Sequence, residues 1–119
     1  MKEKLLEVLS AFGYPVYLQG TMADDEAYPE SLITFWTDYS TDNAHYNNAV
    51  HSVDWSVSVF FYSSDPVLVN TKPREITAAL RGAGFIPQGM GHDLVSDEPT
   101  HTGWVSEFTY KEILQQKEQ

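Results

Sequence analysis

Five side chains able to bind a metal or move a proton crowd together late in the chain: His92, Asp93, Asp97, Glu98 and His101. Imidazoles with carboxylates suit zinc or manganese. Their spacing matches no compact ligand motif, however, and Gly91 and Pro99 place them in a loop, where turn formation and solvated charge account for the same residues. Asp24, Asp25 and Glu26 form a second acidic group, but they lack the alternating oxygen ligands and closing Glu of an EF-hand loop. Ser, Thr, His and carboxylates abound without an arrangement that would make a nucleophile. There is no G-x-S-x-G elbow, no G-x-x-x-x-G-K phosphate cradle and no G-x-G-x-x-G, and Gly89-Met90-Gly91 is too short to count. No cofactor and no enzymatic activity are expected. A small metal-dependent hydrolase using His92, Asp93 and His101 stands as an alternative.

The elements that would position these residues are legible from periodicity. Along 51–62, Val53, Trp55, Val57, Val59 and Phe61 alternate with Ser52, Asp54, Ser56 and Ser58, as in a strand buried on one face. Residues 32–39 read as its antiparallel partner. Between them the Asn- and Asp-rich segment 40–48 favours turns, so the pair is expected to be a long hairpin with an extended tip. Residues 2–12 place Leu5, Leu6, Val8, Leu9 and Phe12 at helical spacing before Gly13, and 14–18 reads as a short strand opened by Pro15. Residues 20–31 read as an acidic loop.

After Ser63-Ser64-Asp65-Pro66, a capping signal, Pro73 argues against one continuous helix. The expectation is a short turn at 66–70 and a main helix from Thr71, with Ile76, Ala79, Leu80 and Ala83 inward. Phe85 and Ile86 begin another strand. Gly13-Tyr14-Pro15 and Gly84-Phe85-Ile86-Pro87 each follow a helix, so the chain faintly repeats a helix, Gly, aromatic, strand unit. A last strand is expected over 102–110, and a polar, mobile tail over 110–119. Together these elements make one α+β domain over 1–119: a mostly antiparallel sheet of four to five strands, a long β-hairpin and two helices packed against it.

The 119 residues include no cysteine, which leaves no disulfide and no thiolate site. The N-terminal segment lacks the apolar run of a signal peptide, and no stretch reaches the roughly 18 apolar residues of a membrane span. A soluble, cytoplasmic protein without membrane contact is expected. Seventeen acidic against seven basic residues give a formal charge of −10, which works against neutralising phosphates, so sequence-specific nucleic acid is not an expected partner. Lys2, Lys4, Lys72, Arg74, Arg81, Lys111 and Lys117 are scattered, and a basic groove would need distant segments to meet. Trp36, Trp55 and Trp104 are expected in the core, and an outward one would mark a partner surface.

The segment Phe60-Phe61-Tyr62-Ser63-Ser64-Asp65-Pro66, the following helix to Gly84-Phe85, and the run from Gly91-His92-Asp93 through Asp97-Glu98-Pro99-Thr100-His101-Thr102-Gly103 resemble small tail-assembly proteins of long-tailed bacteriophages and prophages, nearest to the tail terminator or tail completion (head-tail joining) group. The resemblance implies a ring, hexameric in the assembled tail, that caps the tail tube protein and joins it to the head-tail connector protein, with the chain in the virion tail and in the host cytoplasm during assembly. Assembly contacts are then expected at the hairpin tip, Tyr46, Asn47 and Asn48, and at Asp97, Glu98 and His101, while Asp24, Asp25 and Glu26 would supply an acidic loop or channel lining. Another head-tail joining or minor capsid component, or a cytosolic binding module outside phages, are the alternatives.

Overall fold

The computed structural model describes residues 1–18, 29–46, 49–96 and 99–113. Helix α1 (Lys2–Ser10) buries Leu5 and Leu9, four apart and therefore on one face, and leads through Gly13 at φ 84° into strand β1 (Val16–Leu18). Strands β2 (Ser31–Tyr46) and β3 (Ala49–Ser63) form the hairpin. Helix α2 (Pro66–Gly82) follows, then two short strands, β4 (Ile86–Pro87) and β5 (His92–Val95), and a long last strand, β6 (Thr102–Ile113).

The sheet is open and mixed, in the order β1-β2-β3-β6-β4, with β5 also on β6. Among the described residues only β1 on β2 is parallel; the other pairings are antiparallel. The architecture is α+β as expected, with six strands instead of four to five. The extra strand is β5, in the stretch that reads as a loop or strained hairpin before the last strand; it pairs antiparallel with β6, with Leu94 opposite Gly103.

Both helices cover one face. Ile33, Val57, Val59, Phe61, Ile76, Leu80, Phe85 and Phe108 are fully buried between them and the sheet, and the alternation read over 57–61 is the cause. Ser52, Ser56 and Ser58 on the opposite face are buried too, because β3 lies between two long strands whose side chains close over small hydroxyls.

Three local expectations are corrected. First, α2 is continuous from Pro66, with Pro73 in its interior. Val69, Pro73, Ile76 and Leu80 make a single buried stripe, and burial of that stripe outweighs one lost backbone bond. Asp65 caps the helix, its Oδ1 accepting from Val67 N at 3.0 Å. Second, 40–46 is strand and not tip loop: Ser40 lies opposite Trp55, Asp42 opposite Val53 and Tyr46 opposite Ala49. A long partner strand satisfies the backbone there, whatever the turn preference of Asn and Asp. Third, residues 111–113, expected in a loose tail, pair with 52–54.

The repeated helix, Gly, aromatic, strand unit has a structural counterpart. Tyr14 packs on Phe61 with ring centroids 5.6 Å apart, and Phe85 stacks on Tyr110 at 4.4 Å, so each unit drives an aromatic ring into the core and lays its strand on an outer position of the sheet. Among the described residues no helix is long and apolar enough to cross a membrane.

Candidate functional site

Three surfaces follow from this framework. The first is the far half of the hairpin. Strand β1 pairs only with Ile33, Thr34 and Phe35, so among the described residues the outer side of β2 has no strand partner from Trp36 to Tyr46. At about 3.4 Å per residue that edge runs roughly 35 Å. A register shift between Thr37 and Tyr39 marks a bulge at Asp38, whose Oδ2 accepts from Ser58 Oγ at 2.7 Å. The bulge twists the edge and blunts it locally, leaving the part beyond it available for pairing. The hairpin also stretches the molecule: its radius of gyration is 16.0 Å, with extents of 53 × 28 × 22 Å, against about 13.5 Å for a compact chain of this length.

The second surface is the sheet face that neither helix covers. Register puts Trp36, Ser58 and Glu107 in one row, and Tyr17, Thr34, Phe60, Val105 and His92 in another. Phe60 and Tyr62 stack with parallel rings 6.2 Å apart, and Tyr62 lies over Gly103, where a Cβ would come within 2.7 Å of its ring. Trp36 is 49% exposed and Tyr39 64%, both near the open β2 edge. Trp36 is therefore the outward tryptophan, whereas Trp104 is in the core and Trp55 is half-buried with its indole bonded to Glu112. Large aromatic side chains left at the surface are the usual anchors of protein contacts.

The third surface is a groove of about 610 Å³ between α2 and the segment from Gly89 to Asp93. Its apolar lining includes Val69, Pro73 and the indole of Trp104, and Arg74 and Arg81 give it a cationic rim. These two arginines are seven residues apart on one helix and so share a face. Both charges come from a single helix, while the groove itself is formed where that helix meets 89–93 and Trp104, segments distant in the chain. Neither arginine forms an ion pair among the described residues. Gly91, at φ 78°, makes the close wall possible, since a Cβ there would lie 2.5 Å from Val105 O and 2.6 Å from Trp104 Nε1. Trp104 Nε1 donates to Met90 O at 3.3 Å and ties the segment to β6.

Of the clustered His, Asp and Glu side chains, the described ones, His92, Asp93 and His101, do not gather into an ion site. His92 Nδ1 is 2.9 Å from Asp93 O, on the edge strand opposite Val105. His101 sits before β6, its Nε2 2.7 Å from Pro29 O, which ties the start of β6 to the approach to β2, and its Nδ1 2.9 Å from the neighbouring Thr100 Oγ1. Among the described residues no three His, Asp or Glu side chains converge in a way that would hold an ion. Of the expected assembly residues, Tyr46 has its backbone at the far end of the hairpin ladder and His101 is half-buried. Asn47, Asn48, Asp97, Glu98, Asp24, Asp25 and Glu26 lie outside the described residues. Arg74, Arg81, Trp36 and Tyr39 were missed; the seven-residue spacing of the two arginines is a sequence signal that would have found that pair.

No protein-family model and no curated protein matches the chain.

Proposed function

We propose that this chain is a structural assembly protein that works through strand edges and exposed aromatic surface, and that its place is the one implied by the tail-terminator resemblance: a ring on the tail tube, joined to the head connector. The observation that carries the reading is the far half of the hairpin, a three-stranded ribbon of β2, β3 and the end of β6 beyond the reach of β1, with the outer side of β2 without a strand partner from Trp36 on among the described residues. Such ribbons cost stability as isolated structures and serve to pair or interlock with other chains. Ring closure needs one patch to meet a different patch on the neighbour, and a protruding hairpin on a compact body supplies two unlike surfaces. Tail tube and connector proteins are the partners in this reading, the virion tail is the location, and neither a cofactor nor sequence-specific nucleic acid takes part.

The test shortens the hairpin without unfolding it. Replacing residues 44–51 by Asn-Gly keeps Asn43 opposite Ser52 and closes the ladder with a favoured two-residue turn. The shortened protein is expected to fold and to be absent from assembled tails. Normal tails containing the shortened chain would remove the hairpin from the mechanism.

A further inference from the structure

The helix-free face and the α2 groove lie on opposite sides of the sheet and carry opposite charge. On the helix-free face, the Asp38 carboxylate rests on Ser58 Oγ at 2.7 Å, and Glu107 stands opposite Ser58 on the next strand, about 4.8 Å away across the sheet. Both carboxylate side chains are exposed, and Trp36, Tyr39 and Ile86 stand exposed on the same side. On the helix side, Arg74 and Arg81 project from α-carbons about 10.5 Å apart along α2. Beside them run the apolar floor of the groove and the exposed Met90.

We propose that the helix-free face of one copy docks on the α2 groove of a second copy, with Asp38 and Glu107 meeting Arg74 and Arg81. The inference rests on the assembly reading above and names its partner as the chain itself. In a molecule with formal charge −10, two arginines from the seven basic residues share one groove with an apolar floor and no ion pair among the described residues. Guanidinium forks match carboxylates bidentately. Carboxylates beside exposed aromatic side chains are the complement that groove needs, and every copy carries both halves. Asp93 also lines the groove, so the charge match depends on two arginines facing it and not one. Because the two halves occupy opposite sides of the sheet, the contact is head-to-tail, leaves a free half at each end, and propagates until a rotation closes it into a ring.

Sedimentation of the intact chain over a concentration series tests this, from low salt to about 0.5 M, where exposed charges farther apart than a few ångströms are screened. The wild type is expected to associate beyond 13.5 kDa and to weaken as salt rises. Arg74→Glu/Arg81→Glu, which loses the groove, and Asp38→Ala/Glu107→Ala, which loses the face without reversing its charge, are each expected to remain monomeric with unchanged far-UV circular dichroism. Mixed together, they retain one intact face and one intact groove between them, and are expected to form a 1:1 dimer that grows no further. A monomeric wild type at every concentration, association of either variant like the wild type, or no dimer on mixing each overturns the proposal. Incorporation into tails is scored separately: charge variants that still self-associate while the shortened hairpin is excluded would sink this contact and leave the assembly role standing.

Discussion

The indole Nε1 of Trp55 donates to Glu112 Oε1 at 2.8 Å, on the cross-strand diagonal between β3 and β6. The other oxygen of the same carboxylate accepts from the Met1 α-ammonium, also at 2.8 Å, so one side chain ties the start of α1 to the far half of the hairpin.

This pairing makes stability depend on pH. The hydrogen bond from the α-ammonium holds the Glu112 carboxyl below the usual carboxylate range, against partial burial that pushes it up, with the Trp55 indole adding to the depression. A depressed carboxyl stabilises the fold above its unfolded pKa, and the stabilisation is lost as pH falls through the folded value. Urea midpoints of the wild type are expected to drop on acidification through and below the ordinary glutamate range. Glu112→Gln should show a shallower drop, and an identical profile in both proteins would show that the contact carries no linkage. About a third of the Glu112 side chain is exposed, so water screens the effect.

Gly89 and Gly91 separate backbone strain from collision. Both have positive φ, 105° and 78°, but a Cβ at Gly89 meets nothing within 4 Å, whereas at Gly91 it meets Val105 O and Trp104 Nε1 below 3 Å. Gly89→Ala should cost about 1 kcal/mol from the left-handed backbone alone. Gly91→Ala should cost at least about 1 kcal/mol more and shift Trp104 emission as the indole loses its bond to Met90 O. Equal losses at the two positions would contradict the close wall of the groove.

Asp65→Ala removes the acceptor for Val67 N and should lower stability by about 1 kcal/mol. Asp65→Asn, which can still accept that bond, should recover most of the loss in chemical denaturation. Failure of Asn to recover it would assign the effect to charge instead of capping.

Trp36 and Trp104 should respond in opposite ways. Trp104 is 6% exposed, and its replacement by Ala should cost about 3–5 kcal/mol. Trp36→Ser, at an exposed site, should change the denaturation midpoint little, within about 0.5 kcal/mol, while weakening self-association. A large stability loss at Trp36 with association intact would place that ring in the fold's own support and outside the interface.

Most apolar residues read by periodicity kept their roles in the fold, although Leu6 of the first helix is exposed and the serines alternating along β3 are buried. The alternation through Val57, Val59 and Phe61 and the stripe through Ile76 and Leu80 appear in the structure as read, because side-chain direction in a strand or helix follows from local geometry and burial rewards one face. Readings based on a single residue's preference failed where distant chain intervened. Pro73 was allowed to interrupt a helix, yet its ring is buried on the same stripe as Val69 and Ile76. Asp42 and Asn43 favoured a turn, yet Val53 and Ser52 lie opposite them in a ladder. The candidate site was the least legible part. That Arg74 and Arg81 share a helix face is contained in their spacing; that the face is roofed by Gly89 to Asp93 depends on β5 folding back onto β6 after a left-handed turn at Gly91. Local sequence therefore determined which faces are apolar and where charge falls along each element. Only tertiary structure decided which faces stay uncovered, because coverage depends on where segments far apart in the chain come to rest.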